Sequence, residues 1–186
     1  MAPQTETEIN ERLDELMARG TIAPPAGFTA SALIKDDSLH RQAAADPEAF
    51  WAGAARDLDW FREPSQTVDE SKAPFYTWFA DGTINASYNC LDRHIEAGLS
   101  DRVAFYWCGE EGERRTITYG WLHEQVQRAA SALTRHGVER GDVVGIYLPM
   151  IPEAVVAMLA CARIGAPHNV VFGGFSPASV KERMDA

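Results

Sequence analysis

This sequence has no concentration of positive charge. Its 17 Lys and Arg face 27 Asp and Glu, giving a formal net charge of −10, and no local Lys/Arg cluster offsets the balance. That weighs against a chain whose main task is to grip nucleic-acid phosphates. Cysteine is scarce: Cys90, Cys108 and Cys161 are odd in number, far apart and without a C-x-x-C pair. Such spacing fits neither a disulfide framework nor a zinc site, so three buried thiols are expected. The five histidines are scattered and none forms an i, i+4 helical pair, so no metal site is expected. No apolar run approaches the roughly 20 residues that span a bilayer. Residues 1–20 are polar and acidic where a signal peptide is basic and then apolar. A soluble, cytoplasmic chain with no membrane or nucleic-acid partner is the expectation.

What is present is enough apolar material, 46% of the residues, for a globular core. Residues 6–18 place Ile9, Leu13, Leu16 and Met17 on one helical face, a stripe for a loosely docked terminal helix. Asp46, Pro47 and Glu48 form a helix start, with a capping acid, proline in the first turn and an acid near the positive end of the dipole. Phe50, Trp51, Ala54 and Leu58 then give that helix an apolar stripe, read as ordinary core rather than as a binding platform.

Residues 75–80 and 83–88 flank Asp81-Gly82, a candidate hairpin turn, and Asn89 is placed to cap a helix running to Ala97 and stopped by Gly98. A second hairpin is expected from 103–107 and 115–118 across the glycines at 109 and 112. Glu110, Glu111 and Glu113 at its tip read as a solvated surface. Thr118 caps a longer helix with Leu122, Val126, Ala129, Ala130 and Leu133 on one face and Gly137 at its end.

The stretch 141–177 changes character. Residues 143–148 form a short apolar run of the kind a parallel strand buried on both faces shows, and Pro152 suits a first helical turn. Val155, Met158, Leu159 and Ala162 follow at helical spacing, Gly165 stops the helix, and 169–172 is the next apolar run. Gly173 and Gly174 come at its end, where open α/β sheets bind ligands, and Ser176-Pro177 opens another helix. The double glycine is neither a G-x-G-x-x-G fingerprint nor a G-x-x-x-x-G-K-[ST] phosphate loop. Two readings stand: a backbone ligand edge, or a plain strand-to-helix turn. With only two parallel strands, this unit is expected to leave apolar faces and an edge open, favouring association or partial disorder from Gly141 onward.

One further cluster invites chemistry. Cys90 and His94 share a helical face beside Asp92 and Arg93, but a nucleophile pair also needs an orienting group and a pocket. The simpler reading is that Asp92 and Arg93 lock this segment to the sheet domain while His94 is hydrogen-bonded.

Four segments, DPEAFWAGAARDLDWF, GTINASYNCLDRH, RRTITY and GDVVGIYLPMIPEAVVAMLACARIGAPHNVVFGGFSP, closely resemble the amino-terminal part of the AMP-forming acetyl-CoA synthetases. The resemblance covers roughly residues 39–186, with the block from Gly141 as its best marker and propionyl-CoA synthetases as the relatives most easily confused. It implies an α/β fold: an α+β amino-terminal extension, then the first βαβ unit of an adenylate-forming large domain. The divisions it implies are a variable, partly disordered start at 1–37, the extension at 38–97, and an incomplete large domain at 98–186.

It also implies a reaction of acetate with ATP to acetyl-AMP and pyrophosphate, with Mg²⁺ offsetting phosphate charge, and then attack by the thiol of coenzyme A. In the family the positions matching Phe172, Gly173 and Gly174 lie along the coenzyme A nucleotide site. The phosphate loop, acetate-pocket tryptophan, 3′-phosphate arginines, adenine and hinge aspartates and catalytic lysine match nothing here. The resemblance therefore implies no catalytic residue in this chain, no activity by it alone, and the remainder of the synthetase as its partner. A non-catalytic coenzyme A-binding or regulatory module is the reading from a different class, and an unrelated nucleotide-binding α/β domain is a third.

Overall fold

The computed structural model describes residues 6–20 and 23–185. The chain divides into two compact units, the first ending at Phe50 and the second beginning at Trp51.

The first unit contains α1 (Glu6–Ala18), α2 (Ala26–Ser31) and α3 (Ser38–Ala45). The expected stripe of α1 is largely open, with Leu13 50% and Met17 78% exposed, while the side chain of Ile9 lies outside the described residues. Helix α4 (Pro47–Ala55) carries the boundary between the units and starts as expected, the Asp46 carboxylate accepting the Ala49 N–H at 2.9 Å. Its stripe departs from the core reading, since Trp51, Ala54 and Leu58 are exposed. The Trp51 ring instead meets Trp78 edge-on, at a 6.5 Å centroid separation.

The second unit opens with strands too short to form a sheet core. Strand β1 (Val68–Asp69) pairs antiparallel with β2 (Thr77–Trp78), and Arg62 bridges Thr83. The expected hairpin of 75–80 with 83–88 therefore does not form, although the chain does turn at Gly82, whose N–H reaches Phe79 O at 3.0 Å. Each arm pairs with residues upstream because Arg62 Nε binds Asp81 O and the Asp81 carboxylate accepts the Ser65 N–H. A Cβ on Gly82 would come within 2.6 Å of the Trp60 ring, so only glycine lets that ring close over the turn.

The next helix begins earlier than expected. Asn85, not Asn89, is the cap, its side-chain oxygen accepting the Tyr88 N–H at 3.1 Å. The helix passes through a π turn at Tyr88–Asp92 and finishes as α5 (Arg93–Glu96), with Gly98 left-handed beyond it. Asn89 lies inside the π turn and pairs with the backbone of Asp59 in both directions, at 2.9 and 3.0 Å.

Strands β3 (Val103–Cys108) and β4 (Arg114–Thr118) form the expected antiparallel hairpin, with a register shift between Val103 and Phe105. Its acidic tip is exposed. The Thr118 hydroxyl caps α6 (Tyr119–Arg135) by accepting the Trp121 N–H at 3.2 Å. Leu122, Val126 and Ala130 of α6 pack with Leu91, Ile117, Val156 and Ala160 in the principal core.

The βαβ unit is as expected: β5 (Val144–Leu148), α7 (Pro152–Ile164) and β6 (His168–Phe172), with β5 and β6 parallel and Leu148 opposite Phe172. Gly165 ends α7 in the left-handed conformation, φ 74°. The register puts opposed residues on one face: Ile146 with Val170 and Leu148 with Phe172 on the side where Ile146 packs against Cys161 of α7, and Tyr147 with Val171 on the other. The both-faces-buried reading is corrected on each side, since Val170 and Phe172 on the α7 face and Tyr147 on the opposite face are 43–53% exposed. Helix α8 (Pro177–Asp185) reaches that opposite face only in part: Met184 approaches Gly145, and Arg183 O accepts the Asn169 amide. Among the described residues, no helix is long and apolar enough to cross a membrane.

Of the cysteines only Cys161 is buried, and burial pushes its thiol pKa up. Cys90 and Cys108 are exposed, against expectation. Cys108 closes β3 on the outward-facing side of its alternation, like Tyr106 before it, and Cys90 rides the π turn.

Candidate functional site

The carboxyl ends of the two parallel strands converge on the turn 172–175. The Phe175 N–H donates to Phe172 O at 3.0 Å, closing a four-residue turn around the two glycines. Phe172, Gly173 and Gly174 are thus brought together as expected, at the edge where open parallel sheets present ligands. Helix α8 follows at once, capped by Ser176, whose Oγ accepts the Ser179 N–H at 3.3 Å.

The two glycines are needed for different reasons. A Cβ on Gly173 would come within 2.9 Å of Pro149 N and 3.1 Å of the Leu148 carbonyl carbon, so the turn lies against the backbone leaving β5. A Cβ on Gly174 would meet only the Phe172 ring, at 2.7 Å, and that ring can turn aside. Gly173 is therefore explained by packing against backbone, whereas at Gly174 only the movable Phe172 ring stands over the backbone.

Three residues that sequence reasoning passed over complete the edge. Phe175 meets Phe172 edge-on at 5.9 Å, and Arg183 stacks on Phe175 with its guanidinium carbon 5.3 Å from the ring centroid. No carboxylate lies within ion-pair distance of Arg183 among the described residues, which leaves one uncompensated cation beside the turn. Tyr147 projects from β5 with its hydroxyl 2.7 Å from Phe175 O and 3.1 Å from Gly173 O. The helical spacing from Ser176 to Arg183 hinted at the cation, but no local pattern signals a tyrosine that acts 26 residues downstream.

The Asp92 cluster resolves differently from a nucleophile site. Asp92 accepts both guanidinium nitrogens of Arg163, at 2.7 and 2.8 Å, and His123 Nε2 lies 3.1 Å from the same carboxylate. The Arg163 guanidinium, followed by the His123 hydrogen bond, holds the carboxyl below its ordinary value against the opposing cost of burial. Asn85 adds to the junction by donating to Ala162 O and Arg163 O at the end of α7. The lock is thus Asp92 with Asn85, while Arg93 turns the other way to Asp57 O and Asn89. His94 rests against the Tyr119 ring at 4.9 Å, with no hydrogen bond to its imidazole among the described residues. Cys90 and His94 both line an open groove of about 560 Å³, but apart from Asn89 and Tyr119 its other walls are apolar, Leu91, Phe105, Leu122 and Leu159 among them. No orienting acid completes a catalytic set there. Among the described residues, no three His, Cys, Asp or Glu converge as a metal site would require.

Comparison with known proteins places this architecture. The acetyl-coenzyme A synthetase N-terminus family model matches residues 36–90. The AMP-binding enzyme model matches residues 91–186, just over half the chain. An acetyl-coenzyme A synthetase of Streptomyces avermitilis is 53% identical over 94% of this chain and 27% of its own length. One from Mycobacterium tuberculosis is 52% identical over 87% of this chain and 25% of its own. The solved structure of acetoacetyl-CoA synthetase from Streptomyces lividans superposes with a TM-score of 0.74 at 26% identity, over 87% of this chain and 28% of that one. The chain thus spans about a quarter of the length of the relatives it matches. With both family models adjoining within the helix that Asn85 caps, and the βαβ unit matched in sequence and shape, the chain belongs to the AMP-binding enzyme family.

Proposed function

We propose that this chain is the amino-terminal part of an AMP-forming acetate–CoA ligase. That enzyme converts acetate, ATP and coenzyme A to acetyl-CoA, AMP and pyrophosphate through acetyl-AMP. The observation that carries the reading is identity of about half the residues to acetyl-coenzyme A synthetases across nearly the whole chain. In this reading residues 1–37 are the variable start, 38–97 the extension and 98–186 the opening of the large domain. Its partners are the three small-molecule substrates and the rest of the synthetase, and its place is the cytoplasm.

The turn 172–175 is the part of the substrate site this chain contributes. Phe172, Gly173 and Gly174 form the coenzyme A nucleotide edge: an exposed aromatic face, a backbone that Gly174 leaves approachable, and the Arg183 cation close by. These groups fit an aromatic, anionic nucleotide, for which ring stacking and a guanidinium are the expected contacts. In this reading Mg²⁺ belongs with the ATP phosphates, whose charge it offsets.

Titration of the ¹⁵N-labelled chain with coenzyme A tests the site. The amides of Phe172, Gly173 and Gly174 shift, and Gly174→Ala weakens binding while leaving the Ile146 and Val171 resonances in place. Unperturbed turn amides at millimolar coenzyme A would sink the assignment.

A further inference from the structure

We propose that Tyr147 is a positioning residue that aims the free backbone N–H groups of Gly174 and Ser176 at acceptor atoms of the bound nucleotide. This rests on the coenzyme A reading of the turn. Tyr147 is the fourth residue of β5 and its side chain is on the face that α8 partly covers, about half exposed. Its single hydroxyl proton lies between two carbonyls of the turn, Phe175 O at 2.7 Å and Gly173 O at 3.1 Å. The turn has only one closing bond of its own, Phe175 N–H to Phe172 O, and two of its residues are glycines with the widest conformational freedom. Without an external hold, its central peptide units can rotate.

The geometry of the peptide bond turns that hold into an orientation. In a planar trans peptide the C=O and the following N–H point in opposite directions. Drawing Gly173 O toward Tyr147 therefore sends the Gly174 N–H away from β5, and drawing Phe175 O does the same for the Ser176 N–H. Neither N–H has a partner among the described residues. Unpaired backbone donors are costly unless water or a ligand receives them. Two donors on the side of the turn away from the hydroxyl, spreading apart because their carbonyls converge, suit separate acceptor atoms of a nucleotide beside the exposed Phe172 ring and the Arg183 cation. The phenol ring itself need not touch the ligand.

Tyr147→Phe removes only the hydroxyl and leaves the ring in place. In the 186-residue chain, we expect the Gly174 amide order parameter to fall from about 0.85 toward 0.6. Exchange of the Phe175 amide quickens several-fold, while the Ile146 and Val171 amides keep their protection. Coenzyme A binds roughly fivefold more weakly, as loss of one net hydrogen bond implies. An unchanged Gly174 order parameter would overturn the positioning role whatever happens to affinity. A loosened turn with unweakened coenzyme A binding would overturn the aiming of the two donors. A loosened turn in a chain whose 172–174 amides never respond to coenzyme A would overturn the nucleotide as ligand and leave the tyrosine clamp standing.

Discussion

Asp92 is where one side chain holds most together. It joins a π-turned segment to the last turn of α7 through Arg163 and to α6 through His123, with its own side chain only 14% exposed. Replacing it by Asn keeps the shape but strips the charge that makes these bonds strong. Asp92→Asn is expected to cost about 2 kcal/mol at neutral pH, measured by urea unfolding. The acid dependence has a definite sign. Because the folded pKa lies below the ordinary 3.8, the carboxylate's contribution is fully present above that value and is lost as pH falls through the lower, folded one. The gap between the two proteins should therefore be constant from pH 7 to about 5 and narrow below about 4. A gap that widens in acid would show that another group carries the junction. Nothing in the run Tyr88 to His94 reveals this partner, because Arg163 lies 71 residues away and looks like any helix-end arginine.

At the scale of elements, most of what was legible came from periodicity and caps. The 141–177 block, Thr118 before α6 and the Asp46-Pro47 start of α4 are all local patterns, and local patterns were enough. What escaped was decided by distant partners. Residues 75–88 alternate too poorly to choose each other, so Asp81 and Thr83 recruited Ser65 and Arg62 instead. The π turn shifted the capping residue from Asn89 to Asn85, a change that hydrophobic spacing does not encode. The glycine edge was readable as a turn, but the tyrosine fixing it was not. The β5–β6 pair makes its own prediction. Each strand has one neighbour among the described residues, so along β5 and β6 only alternate amides are bonded and the rest face outward. Hydrogen exchange in a monomeric sample should show slow and fast amides in alternation from Val144 to Leu148. Uniformly slow exchange in such a sample would show that the outer edge of β5 is not open.

For the whole molecule, the consequence of the proposed function is a division of labour. This chain supplies a scaffold and one edge of a nucleotide site, and the reading assigns acyl activation to residues it does not contain. The purified 186-residue protein is therefore expected to form no acetyl-CoA from acetate, ATP and coenzyme A, in a thiol-consumption assay sensitive to 10⁻⁴ of an ordinary synthetase rate of roughly 10 s⁻¹. Turnover above that floor, surviving repurification, would refute the proposal. Its acidic surface, net −10, adds no obstacle to a nucleotide at the turn beyond long-range repulsion, which salt screens within about 10 Å at 0.1 M.

The junction of Asn85 and Asp92 with the end of α7 also sets a clock. During synthesis from the amino terminus, residues 85–92 leave the ribosome before their partners at the end of α7, with Arg163 following Asp92 by 71 residues. At about 5–20 residues per second, that is a wait of roughly 4 to 14 s. For most of that interval Leu91 can close only on the Ile117, Leu122 and Val126 side of its core, since Val156 and Ala160 emerge later. The clamp of Asp92 on Arg163 is thus among the last contacts of this segment to be secured on the nascent chain.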